Sequence, residues 1–122
     1  MTFGMSKTSD QDLEAKAQTL WETIQQDKTA RLLHPSGETV ALQPENGRDF
    51  QLKELQTLVG GLIEPVGLDG RFLMVINEEG MFKGLDRNPL ADWLYCQVAG
   101  CKVEDLHGFL GNVVIMPDRM LK

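Results

Sequence analysis

Apolar and polar positions alternate along this chain with two periods, and the switches between them mark its elements. Leu13, Ala17, Leu20, Trp21 and Ile24 recur at the three-and-four spacing of one helix face. Thr8, Ser9 and Asp10 stand ahead of them as capping residues, with acids in the first turn, so the spacing predicts an amphipathic helix to about Asp27. Its apolar stripe needs a surface, which is either the rest of this domain or another copy. Ala30–His34 and Glu38–Leu42 are short extended runs around Pro35-Ser36-Gly37, the pattern of a hairpin. After the loop 44–49, helical spacing returns at Phe50, Leu52, Leu55, Leu58 and Val59, and Gly60 falls where a helix end needs positive φ.

Beyond Gly61 the period shortens again. Leu62–Leu68 and Arg71–Ile76 flank Asp69-Gly70, a strong hairpin signal. The second run is apolar at nearly every position, as in a central strand, whereas Pro65 assigns the first to an edge or a bulge. Asn77-Glu78-Glu79-Gly80 reads as a turn, and 81–85 as a short further strand. Asn88-Pro89 opens a helix carrying Leu90, Trp93 and Leu94. Residues 96–111 form a loop with a helical turn near 103–106, and Val113–Met116 make a last strand ended by Pro117. The sum is a single α+β domain: a mostly antiparallel sheet of about four to six strands, helices on one face, and an added N-terminal amphipathic helix. The expected organisation is a disordered stretch 1–8, an N-terminal helix 9–29, a core 30–117 and a C-terminal tail 118–122.

Composition changes this picture little. At 122 residues, 42% of them hydrophobic, the chain can bury a core without staples. A formal charge of −6 with scattered Lys and Arg argues against nucleic acid as a partner. No window is long and apolar enough for a membrane span, and the start MTFGMSKTSDQD lacks a secretion signal, so a cytoplasmic location is expected. Cys96 and Cys101 fit that compartment as reduced thiols.

One ordered set of motifs stands out. Leu55-Gln56-x-Leu58-Val59-Gly60-Gly61-x-Ile63-Glu64 is followed by a hairpin ending Val75-Ile76-Asn77-Glu78-Glu79-Gly80, then Gly84-Leu85-x-x-Asn88, then Leu110-Gly111-Asn112-Val113-Val114-Ile115. This combination resembles the small domain of unknown function 3846, over roughly residues 31–116. The resemblance implies a phage, plasmid or other mobile-element setting and no assigned activity. The helical extension before Ala30, and a longer, more apolar segment from Leu90 to Leu110, depart from the family's usual pattern.

The candidate chemistry is sparse. Glu64, Asp69, Glu78, Glu79 and Asp86 are read as solvated turn and strand-end acids rather than a catalytic pair. Cys96, Cys101, His107 and His34 are zinc-type atoms at C-x4-C-x5-H spacing, outside the common knuckle, so no metal and no cofactor is expected. Gly60-Gly61 follows a helix and precedes a strand, the reverse of a phosphate-cradling loop, and Ser6, Ser9 and Ser36 have no elbow motif. Trp93, Tyr95, Phe109, Met81 and Phe82 are read as core before groove. Two readings stay open. The first is a non-enzymatic module that binds a protein partner or self-associates, with Leu13, Leu20, Trp21 and Ile24 as the interface. The second is a small-molecule, nucleotide-like ligand held locally by Arg71, Lys83 or Arg87. In either case Asn77, Glu78, Glu79, Lys83 and Arg87 are the candidate binding residues, because a plain turn needs only one polar residue before Gly80.

Overall fold

The computed structural model describes residues 10–121. In chain order the elements are α1 (Asp10–Asp27), β1 (Ala30–Leu33), β2 (Thr39–Leu42), α2 (Leu52–Val59), β3 (Ile63–Gly67), β4 (Phe72–Asn77), α3 (Pro89–Ala99) and β5 (Val113–Pro117). Single 3₁₀ turns lie at Val103–Asp105 and Asp118–Met120. The five strands form one sheet in the order β2-β1-β5-β4-β3, every neighbouring pair antiparallel. The last strand in sequence is thus central, where all five of its residues are buried. Pro65 sits on β3 at the sheet edge, which is where a residue without an N–H disturbs the ladder least.

The helices, expected on one face, divide between the two. Leu33, Phe72, Met74, Val113 and Ile115 pack with Ala17 and Ile24 of α1 and with Leu90, Ala91 and Leu94 of α3. Ala30, Leu32, Val75, Val114 and Met116, the alternate positions of the same strands, pack with Leu55 and Val59 of α2 and with Phe50. Successive strand residues point to opposite faces, so the two clusters lie on opposite sides of the sheet. The physical reason is in the central strands: β4 and β5 are apolar on both faces, and each face must be covered.

The stripe on α1 is used inside the fold. Ile24 is wholly buried, Leu13, Leu20 and Trp21 pack half-buried against the same cluster, and the Trp21 ring meets Phe72 edge-on at 5.2 Å. α1 runs alongside α3 on this face. Its C-terminus departs from the other two helices: α2 and α3 end on Gly60 and Gly100 in the left-handed region, whereas Lys28 takes that conformation here at φ +53°. The stretch 1–8, expected to be disordered, lies outside the described residues.

Two local expectations are corrected. Residues 81–85 form no strand; they are a hydrogen-bonded turn in which Lys83 N–H donates to Glu79 O (3.0 Å), Gly84 N–H to Met81 O (3.2 Å) and Leu85 N–H to Gly80 O (3.1 Å). A ladder would require these groups to pair across strands, and the turn has already used them. Cys96 and Cys101, read as reduced thiols, are joined in a disulfide across the C-terminal end of α3. The left-handed Gly100 turns the chain back, with Cys101 N–H donating to Cys96 O at 3.3 Å, and leaves the two Cα atoms 4.6 Å apart.

Candidate functional site

The five candidate binding residues do not converge on one site. Asn77, the last residue of β4, is buried; its Nδ2 donates to Val59 O at 3.0 Å and its Oδ1 accepts the Glu79 N–H at 2.7 Å. Lys83 Nζ donates to Gly60 O at 3.1 Å and stands 3.9 Å from the Glu79 carboxylate. Asn112 Nδ2 completes the set on Leu58 O at 3.1 Å. The last carbonyls of a helix have no partner within it, and here three side chains supply the donors. Asn77 and Lys83 therefore hold the end of α2 against the sheet. Gly61 leaves them room, because a Cβ there would lie 2.5 Å from Lys83 Nζ and 3.0 Å from Asn77 Nδ2.

Arg87 belongs elsewhere. Its Nη2 stands 3.2 Å from Oδ2 of Asp92, whose side chain is 2% exposed in the first turn of α3. Asp92 Oδ1 also accepts the Phe109 N–H at 2.7 Å. Burial pushes the Asp92 carboxyl above its ordinary range, while the Phe109 amide and the Arg87 guanidinium pull it back. Beside it Asn88 is fully buried: Oδ1 caps α3 by accepting Ala91 N–H at 3.2 Å, and Nδ2 donates to Leu33 O (2.9 Å) and Gly111 O (2.8 Å). These residues tie α3 to the centre of the sheet.

Glu78 is exposed, and its N–H donates to Leu62 O at 2.8 Å, which brings Leu62 to the base of the following turn. That turn carries the two most exposed large apolar side chains described, Phe82 at 92% and Met81 at 76%, and Leu62 beside its base is half exposed. Sequence reasoning placed Met81 and Phe82 with the aromatic core, but only the others are there. Tyr95 and Phe109 meet edge-on at 5.3 Å, and Trp93 packs half-buried on the core. Gly80-x-x-x-Gly84, a short glycine-bounded loop carrying two bulky apolar residues, was the available signal.

The zinc-type atoms do not gather. Cys96 and Cys101 are bonded to each other, His107 is exposed, and His34 Nδ1 meets Asn112 Oδ1 at 3.1 Å. Among the described residues no group of three His, Cys, Asp or Glu side chains is arranged to hold a metal, and no helix is long and apolar enough to cross a membrane.

Fold and surface together define a class: a small α+β domain whose antiparallel sheet is covered on both faces and which displays an apolar turn beside one sheet edge. The chain belongs to the family described as Domain of unknown function (DUF3846), whose model matches residues 29–119. That span takes in all five strands, α2 and α3, and leaves α1 outside it. No match was found among curated proteins, and none among solved structures.

Proposed function

We propose that this protein is a non-enzymatic accessory module of mobile-element type that associates with a second copy of itself through the turn following β4. The observation that carries this reading is the exposure of Met81 and Phe82 on a turn held by three backbone hydrogen bonds. Displaying a phenylalanine on a hydrogen-bonded turn leaves little backbone entropy to lose on being covered, so the cost set against its apolar area is mainly that of fixing the side chain. The charges around the pair favour a second copy. Glu78 and Glu79 precede it and Lys83 follows it, and the partly exposed Lys83–Glu79 pair, 3.9 Å apart within one chain, is open to exchange partners across the contact. A two-fold related copy sets the acids of one chain toward the bases of the other, the self-complementarity an isologous contact requires. β3 lies beside the turn as an edge strand, but Pro65 interrupts its row of N–H donors, so the contact runs through side chains more than through sheet extension.

The test is light scattering coupled to size exclusion, over a concentration series of the full chain and of Phe82→Ser and Met81→Ser. Because both side chains stand in solvent, the variants keep the fold, which circular dichroism checks. The expected result is a mass moving from monomer to dimer with concentration in the native chain and shifted at least tenfold toward monomer by Phe82→Ser. A native chain that stays monomeric throughout, or a dimer indifferent to both substitutions, overturns the proposal.

A further inference from the structure

The other end of β4 carries a different surface. Lys28 at the end of α1, Arg71 before β4 and Arg119 after β5 line one cavity of about 410 Å³, with Gln25, Asp69, Phe72, Pro117 and Asp118. Three separate segments bring these cations together. β4 and β5 pair with Phe72 opposite Pro117, and Asp118 N–H donates to Arg71 O at 2.8 Å, so the residues flanking that register become neighbours. Trp21, packed on Phe72, then brings the end of α1 over them. Among the described residues none of the three side chains makes a hydrogen bond or an ion pair. Elsewhere Arg31, Arg48, Lys83 and Arg87 each have a carboxylate partner.

Two acids share the lining, and only one is committed. Asp69 Oδ1 accepts the N–H groups of Arg71 (2.9 Å) and Phe72 (3.0 Å) and so serves its own turn. The Asp118 carboxylate makes no such bond among the described residues. Lys28 adds an independent sign. A side chain in the left-handed region strains the backbone, and the other two helices use glycine at the same point. The strained position thus falls on a lysine that lines the cavity, where a glycine would fit the backbone better.

We infer that this cavity binds a small phosphate ester: Lys28, Arg71 and Arg119 hold the phosphate, while Phe72 and Pro117 flank the organic part. Its volume suits one small molecule. Three donors of fixed charge match a phosphate group in high-dielectric surroundings only if they act together, which their shared cavity allows. A nucleic-acid backbone is the poorer fit, since three cations on a chain of net charge −6 give few phosphate contacts and a repulsive surround.

The test is calorimetric titration of the full chain with glucose 6-phosphate and with ADP at physiological salt, with glucose and adenosine as controls. The expected result is saturable binding of one or both phosphate esters, none of the controls, and about a tenfold loss of affinity in each of Arg71→Gln and Arg119→Gln. Lys28→Gly separates a ligand role from a structural one: without ligand it should raise Tm by about 2 to 4 °C through relief of backbone strain, and it should still weaken binding. No saturable binding by either ester, equal binding of the controls, or affinity unchanged in the variants overturns the inference. So does tighter binding of a single-stranded oligonucleotide that neither ester displaces.

Discussion

Removal of the Asn88 side chain should cost this protein more than any other single polar deletion on the α3 face of the sheet. Asn88 is fully buried and makes three side-chain hydrogen bonds, one capping α3 and two reaching Leu33 O and Gly111 O. An N-cap is worth about 1 kcal/mol. Each of the two donor bonds contributes about 1 kcal/mol more, because both acceptors sit in buried residues where water does not replace the amide. Asn88→Ala should therefore lose about 3 kcal/mol, or about 12 °C in Tm for a chain of this length. Two further variants divide the sum. Asn88→Ser keeps an oxygen for Ala91 N–H but lacks both donors, so it should lose about 2 kcal/mol. Asn88→Asp keeps the cap and the shape but sets a carboxylate oxygen against two carbonyl oxygens in a dry site, and should fall below Asn88→Ala. Urea denaturation followed by circular dichroism, with the slope checked for two-state behaviour, measures all three. If Asn88→Ala loses under about 1 kcal/mol, or Asn88→Asp proves more stable than Asn88→Ala, then the two carbonyls do not depend on this amide and the reasoning fails.

Two other outcomes follow from the same end of α3. Because the Asp92 carboxyl is raised above its ordinary value of 3.8, the native state holds that proton to higher pH than the unfolded chain does, and the contribution of Asp92 to stability falls as pH rises through the raised value. Asp92→Asn, which keeps an acceptor for Phe109 N–H, should therefore gain on the native chain between pH 4 and 7; a difference that is flat, or that grows toward low pH, contradicts this. The Cys96–Cys101 disulfide closes a loop of sequence separation 5, so reduction should cost no more than about 2 kcal/mol and leave the chain folded. Thiol titration of unfolded, unreduced protein should find no free sulfur, and two titratable thiols per chain would refute the pairing.

The elements were readable because each rests on local rules. Gly60 takes φ +83° at the end of α2, Asp69-Gly70 turns β3 into β4 with Gly70 at φ +90°, and Asn88 caps α3 with Pro89 behind it. Pro65 narrowed β3 to an edge or a bulge, and β3 lies at the edge. Placement of the helices was not local. The apolar runs of β4 and β5 already imply two covered faces, but a run says nothing of which helix covers which side, and the helices were all expected on one. The disulfide escaped for a related reason: its spacing is ordinary, and only the reversal at Gly100 brings the two Cα atoms to 4.6 Å.

The candidate residues show why side-chain chemistry is harder to read than backbone. Asn77, Lys83 and Arg87 were read as candidate binding groups, yet each has a structural partner, Val59 O, Gly60 O and the Asp92 carboxylate, and for Asn77 and Lys83 that partner lies 18 and 23 residues away in the chain. A donor is free for a ligand only when the fold leaves it without an acceptor, and a single sequence does not list acceptors in space. Lys28, Arg71 and Arg119 show the converse. They stand 43 and 48 residues apart in sequence, as their numbers give, and look like scattered solubilising charge until the Phe72–Pro117 register sets them around one cavity. Function in this chain is thus to be sought where the fold has left charge or apolar area unspent: the cavity at the start of β4 and the turn at its end. The two lie at opposite ends of one central strand, so a ligand at Arg71 and a second copy at Phe82 can be held at once without competing for surface.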